Sequence, residues 1–328
     1  MRLLALLFLL AAGPAAAFDL QGHRGARALA PENTLPGFRT ALAVGVTTLE
    51  LDLALTADGV LVVSHDPRLN PDLTRAPDGT FLRGPGPPIR SLTLEALRIY
   101  DVGRIRPGSR YAQTYPRQRP VDGARIPTLA QVFDLVRDTP VRLNVEPKSR
   151  PGGDDAATPE EFARALVAAI RGSGMAERIT VQSFDWRTLV ILRERAPEIV
   201  RVCLTSEASP NNLGRGWPEP SPWLAGHDLA AHGGSTPRLV RELCPVWSPN
   251  FRDLGPVDLA EARALGLAVI PWTVNLPPDM DRLVAARARL RLDVEAHGRV
   301  ADEVEDLRER RDAGPVDRAL ARIGLRVA

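Results

Sequence analysis

Short apolar or β-branched runs alternate with amphipathic, alanine- and leucine-rich stretches along most of the chain, and no other feature constrains its fold so strongly. The apolar runs predict strands at Phe18–Gly22, Thr48–Thr56, Val60–Ser64, Val141–Glu146, Ile179–Phe184, Val200–Thr205, Val246–Pro249 and Leu267–Val274. The amphipathic stretches predict helices at Leu35–Val44, Leu129–Arg137, Pro159–Gly172, Arg187–Arg195, Pro237–Leu243 and Val257–Leu265, with a charged tail from Ala301. Strand-then-helix repetition with right-handed crossovers means a parallel sheet. Allowing roughly 39 residues per unit, the chain has the length of an α/β TIM barrel, (β/α)8, that also carries an insertion.

That insertion falls after the second and third strands. Residues 66–125 are rich in Pro, Gly and Arg, stiffest at Arg83-Gly84-Pro85-Gly86-Pro87-Pro88, and only Leu92–Tyr100 reads as helical. A connection this long inside a compact domain is either functional or disordered. A second Pro/Gly/Trp-rich loop, Ser209–Gly226, follows the strand at Val200–Thr205.

Residues 1–17 read as a secretory signal peptide: Met1-Arg2, an apolar run from Leu3 to Ala12, and an Ala15-Ala16-Ala17 end that places cleavage before Phe18. The apolar run is shorter than the ~20 residues of a spanning helix. No cysteine follows it to take a lipid, so an exported protein, periplasmic or secreted, without a stable membrane anchor is expected. Residues 18–328 then form the barrel. Export permits a Cys203–Cys244 disulfide; two buried free thiols are the alternative, and spacing does not choose between them. The 42 basic and 40 acidic residues nearly cancel, and aromatic residues are only 5% of the chain, which argues against a nucleic-acid partner. No protein partner is evident.

Glu50 and Asp52 stand two apart in Thr48-Leu49-Glu50-Leu51-Asp52-Leu53, so on a strand they point to the same face, ~6.5–7 Å apart. If they faced solvent, the leucines would face inward, yet barrel strands are covered on both faces. A site for a cation accounts for them better, because paired acids inside a barrel need positive compensation. The same spacing recurs in Glu146-Pro147-Lys148, at the C-terminal end of a strand, where barrel sites lie. Of the 42 basic residues, all but Lys148 are arginine. A single retained lysine indicates a place that needs a compact ammonium rather than a planar fork. His23 and His65 also end predicted strands, and imidazole exchanges protons near neutrality. His227, His232 and His297 lie in loops or the tail and are read as structural.

Taken in order, His23-Arg24-Gly25, Ala30-Pro31-Glu32-Asn33-Thr34, Glu50-Leu51-Asp52, Ser64-His65-Asp66 and Glu146-Pro147-Lys148 resemble the glycerophosphodiester phosphodiesterase family. Ile126-Pro127-Thr128-Leu129, Gln182-Ser183-Phe184-Asp185 and Trp272-Thr273-Val274-Asn275 extend the likeness from Gln21 to Asn275. The resemblance implies a TIM barrel that hydrolyses small-molecule glycerophosphodiesters to glycerol 3-phosphate and an alcohol with one divalent cation, Ca²⁺ ahead of Mg²⁺. It assigns Glu50, Asp52 and Glu146 to the metal, His23 and His65 to acid/base catalysis, and Arg24 and Lys148 to the phosphate. Trp272 and Phe184 stand near the glycerol carbons, with core packing as the alternative for Phe184. Glu32 and Asn33 either cap the following helix or join the site. The insertion resembles the family's cap over the substrate.

The likeness fails near the end. Where the family has a strand and turn reading Val-Asp-Gly-Ile-Ile-Thr-Asp-x-Pro, this chain has Leu292-Asp293-Val294-Glu295-Ala296-His297-Gly298, an atypical eighth strand. Two further readings follow: a phospholipase C- or D-like lipid phosphodiesterase of the same barrel group, and a noncatalytic phosphodiester-binding protein.

Overall fold

The computed structural model describes residues 19–208, 210–274 and 278–283. Its elements run β1 (Gln21–Gly22), α1 (Leu35–Val44), β2 (Thr48–Leu55), β3 (Leu61–Val63), α2 (Leu94–Leu97), α3 (Arg110–Thr114), α4 (Leu129–Val136) and β4 (Arg142–Pro147). There follow α5 (Pro159–Ser173), β5 (Ile179–Ser183), α6 (Trp186–Arg195), β6 (Val200–Thr205), α7 (Thr236–Arg241), β7 (Val246–Pro249), α8 (Pro256–Ala264) and β8 (Ala268–Val269). Parallel pairing follows the order β1-β2-β4-β5-β6-β7-β8, so successive βα units add strands in chain order, as the expected barrel requires. The proposed signal peptide, the charged tail, Asn275 and the atypical segment after Leu292 lie outside the described residues.

Local chemistry sets the helix starts. Thr128 and Gln131 form a reciprocal capping box at α4, and Thr158 with Glu161 forms another at α5, where Pro159 occupies the first turn. Thr34 caps α1 by accepting from the Gly37 amide at 3.1 Å, and Gly45 ends that helix at φ 90°. Neither Glu32 nor Asn33 is therefore the cap. β2 is buried along its whole length. Leu49, Leu51 and Leu53 pack with Phe38, Val132 and Phe162 in the main core beneath the helices, while the acids alternate with them. Each fully buried leucine contributes about 1.5–3 kcal/mol, which offsets the cost of carboxylates on the other face.

The run at Val60–Ser64 is a strand but does not belong to the parallel series. β3 pairs antiparallel with β2, with Leu53 opposite Val63 and Leu55 opposite Leu61. The reason is length. Only Thr56–Val60 connect the two, with Gly59 at φ 78°, whereas a parallel crossover needs a dozen or more residues. The hairpin brings Ser64 N to within 3.0 Å of Asp52 O and so carries His65 back to the site. β8 is shorter than expected: the Ile270 and Trp272 amides still donate to Trp247 O and Pro249 O at 2.9 and 3.0 Å, but Pro249 of β7 has no amide to return a bond, and one parallel bridge, Asn250 to Trp272, lies beyond it.

Residues 66–125 are ordered around their own small cluster of Ala54, Val62, Leu69, Ile89, Leu97 and Ile126. The second short helix there, α3, was not expected from the sequence; Ser109 caps it by accepting from Ala112 N. Arg75 holds this region together, bonding Asp101 at 2.5 Å and Asp122 at 2.6 Å. Cys203 and Cys244 are joined in a disulfide that ties β6 to the segment entering β7, with Cα atoms 5.8 Å apart.

Candidate active site

In the parallel register of β2 and β4, Glu50 stands opposite Asn144 and Asp52 opposite Glu146. This puts Glu50, Asp52 and Glu146 together, all buried, with candidate ligand oxygens within 4.8 Å of one another. Glu50 Oε2 accepts from the Arg24 amide at 2.8 Å and Oε1 from Gln182 Nε2 at 2.9 Å. Gln182 is in turn fixed by Asn144 Nδ2 at 2.7 Å, and Thr180 Oγ1 donates to Asn144 Oδ1 at 2.8 Å. Asp52 Oδ2 accepts from Asn33 Nδ2 at 2.9 Å. Lys148 Nζ lies 2.6 Å from Glu146 Oε1 and 3.1 Å from Asp52 Oδ1, bridging two of the three acids.

The charges are unequal. Burial, reinforced by Asp52 and Glu146, pushes the Glu50 carboxyl up to about 8. Burial raises Glu146 as well, against the pull of Lys148. Asp52 is equally dry, yet Lys148 and Arg24 outweigh that desolvation and hold it well below the usual carboxylate range. Burial would depress Lys148, but Asp52 and Glu146 outweigh it and raise the ammonium. Arg24 has a strained backbone at φ 51° and reaches Glu32 Oε1 at 2.8 Å. Its Nε lies 3.2 Å from Asp52 Oδ2 but is misaligned for a hydrogen bond, which leaves a buried donor unsatisfied. Asn33, at φ 53°, is the second left-handed residue of this loop that is not glycine. Gly37 allows the loop to close, since a Cβ there would come within 2.3 Å of Pro31 O.

Both histidines are accessible at this end of the sheet. His23 is 28% exposed, with Nε2 3.8 Å from Glu50 Oε2 and Nδ1 3.1 Å from Thr273 Oγ1. Burial, then the Arg27 and Arg24 charges, lower its pKa well below the usual imidazole value. His65 is 34% exposed, and its Nδ1 lies 2.8 Å from Asp66 Oδ1. Asp66 Oδ2 also accepts from Asn70 Nδ2 at 2.6 Å. Trp272 and Phe184 meet edge to face at 5.3 Å, and Trp272 Nε1 donates to Ser248 O at 3.0 Å. Phe184 is only half-buried, so it forms an aromatic wall rather than core. Glu32 accepts from Tyr111 of α3, an insertion residue.

All eight expected site residues thus lie toward one end of the sheet, with six of them, His23, Arg24, Glu50, Asp52, Glu146 and Lys148, linked by direct contacts around the acids, while His65 is held by Asp66. Trp272 stands apart, beside Thr273. Sequence reading missed Asn144, although it alternates with Glu146 just as Glu50 does with Asp52, and it left Asp66 without a role despite its place beside His65. No sequence signal marks Tyr111.

Residues 23–305 match the model of the Glycerophosphoryl diester phosphodiesterase family. The Glycerophosphodiester phosphodiesterase of Caldanaerobacter subterraneus is 28% identical over 268 residues, covering 80% of this chain and 88% of that one. That of Bacillus subtilis is 25% identical over 267 residues, covering 80% and 78%. A crystal structure from Silicibacter pomeroyi, of a protein assigned as a glycerophosphoryl diester phosphodiesterase, superposes with TM-score 0.73 at 34% identity, covering 84% of this chain and 88% of that one. An Oleispira antarctica phosphodiesterase, solved with the product sn-glycerol-3-phosphate, shares the fold at TM-score 0.57 and 23% identity, covering 82% and 89%. The parallel-strand order, the three-acid cluster and a family match over most of the chain agree: the protein is a member of the glycerophosphoryl diester phosphodiesterase family.

Proposed function

We propose that this protein hydrolyses glycerophosphodiesters to glycerol 3-phosphate and an alcohol, using one divalent cation. The observation that carries this reading is the convergence of Glu50, Asp52 and Glu146 with Lys148 and Arg24 beside two accessible histidines. A divalent cation fits the donor set: three hard carboxylates lie together, and two of them are reluctant to ionise without more positive charge nearby. We favour Ca²⁺ over Mg²⁺, since oxygens spread up to 4.8 Å apart on two strands suit a larger, geometrically tolerant ion. When bound, such an ion supplies Lewis-acid polarisation of a phosphoryl oxygen.

The protein's own groups do the rest. Arg24 and Lys148 bring fixed positive charge to a dry pocket, where it stabilises the equatorial oxygens of the phosphorane-like transition state. His65, held by Asp66, is oriented to carry a proton and deliver it to the departing alkoxide. His23, positioned by Thr273, takes the proton of the attacking hydroxyl. The insertion reaches the site through polar contacts, Tyr111 to Glu32 and Gln118 to the Arg27 carbonyl, and this supports soluble diesters over intact lipids as substrates. The signal-like residues 1–17 support export, and a disulfide suits an oxidising compartment. Among the described residues no helix is long and apolar enough to cross a membrane.

Purified protein given glycerophosphocholine and Ca²⁺ tests the reading: glycerol 3-phosphate forms, and Glu50→Gln loses metal-dependent turnover by 10²-fold or more while still melting cooperatively. No glycerol 3-phosphate with any divalent metal would sink it.

A further inference from the structure

Arg27 is a charge beside the site that the mechanism above does not use. It stands four residues after His23 in the loop between β1 and α1, and its side chain is half-buried. Its guanidinium lies 5.0 Å from the centroid of the Tyr115 ring. Among the described residues it forms no ion pair with a carboxylate, in contrast to Arg24, which faces two.

The insertion builds this arrangement. Tyr111 packs edge-on against Tyr115 with ring centroids 5.0 Å apart, while its hydroxyl donates to Glu32. Gln118 Nε2 donates to the Arg27 carbonyl at 2.7 Å, and the Arg119 amide to the Leu29 carbonyl at 2.9 Å. Tyr111 thus joins the Arg27–Tyr115 pair to Glu32, which also holds Arg24 beside Asp52, so the pair stands at the edge of the acid cluster. A guanidinium braced on an aromatic face, without a counter-ion, presents a rigid set of donors to an anion. The diester phosphate already has Arg24 and Lys148, and the glycerol is neutral. What varies between substrates is the headgroup.

We propose that Arg27, held on Tyr115, is a specificity-determining residue that selects glycerophosphodiesters whose leaving alcohol carries a further carboxylate or other anionic group over those with a purely cationic headgroup. Tyr115, an aromatic face able to hold a quaternary ammonium, is covered by the arginine, and a choline would meet like charge. This inference rests on the phosphodiesterase reading above.

Glycerophosphoserine and glycerophosphoethanolamine differ only by a carboxylate and form the decisive pair, with glycerophosphocholine as the cationic control. Expected is a kcat/KM about tenfold higher for the serine diester in the native chain, carried mainly by KM and shrinking as salt is raised. Arg27→Gln should bring the serine-to-ethanolamine ratio close to one, while Arg27→Lys keeps part of the preference; melting curves verify that both variants are folded. A ratio near one in the native chain would overturn the proposal. So would an equal loss on all three diesters in Arg27→Gln, because the arginine would then serve the shared phosphate. Failure of the native chain to hydrolyse any of the three would instead refute the phosphodiesterase reading itself.

Discussion

Replacing Lys148 with methionine tests whether one ammonium holds the acid cluster together. The side chain keeps nearly the same volume, but Nζ and its contacts at 2.6 Å to Glu146 and 3.1 Å to Asp52 are lost. Both acids are buried, so the change leaves uncompensated charge in a dry site, and breaking such a pair costs about 3–5 kcal/mol. At about 2–4 °C per kcal/mol for a chain of this size, the metal-free variant should melt roughly 10 °C below the native protein. Ca²⁺ would restore positive charge at the same oxygens, so its stabilising effect should be larger in Lys148→Met than in the native chain. Differential scanning calorimetry with chelator and with Ca²⁺, both at pH 7.5, measures all four melting points. Equal melting points for variant and native protein without metal would refute the reasoning. An equal Ca²⁺ increment in both would show that the lysine and the cation do not share the carboxylates.

Acidity gives a second expectation. Burial pushes Glu50 up to about 8 from its ordinary carboxylate value of 4.5, so the folded metal-free chain keeps a proton that the unfolded chain releases. That stabilisation is fully present below pH 4.5 and is lost as pH rises through 8; chemical denaturation of chelated protein should show stability from this group falling across that window, and saturating Ca²⁺ should flatten the fall. The disulfide spans 41 residues of sequence, which corresponds to about 4 kcal/mol of loop-closure stabilisation. Reduction, or Cys203→Ser with Cys244→Ser, should therefore lower the melting temperature by roughly 10 °C, and an unchanged melt would show that the crosslink adds nothing.

The carboxylates were legible because strand periodicity is local: Glu50 and Asp52 declare a shared face from their spacing alone, and Lys148 stands out against an arginine background. The β3 hairpin was also within reach, since Asp58-Gly59 between two apolar runs is a tight-turn signature, but strand content was read there and direction was not. Gln182 at Glu50 and Tyr111 at Glu32 could not be read this way. Those bonds join residues 132 and 79 positions apart, and only the folded topology brings them together. The disulfide was undetermined for the same reason: the proximity of Cys203 and Cys244 depends on β6 and β7 being neighbours.

The contact between Thr273 and His23 spans 250 residues. Bringing two such distant points of a flexible chain together costs about 5 kcal/mol in closure entropy. The acidic triad, by contrast, is assembled from strands in the first half of the sequence. The two arrangements therefore draw on different lengths of chain: the acids need only β2 and β4 side by side, whereas His23 gains Thr273 only when the far end of the sheet comes back to its beginning.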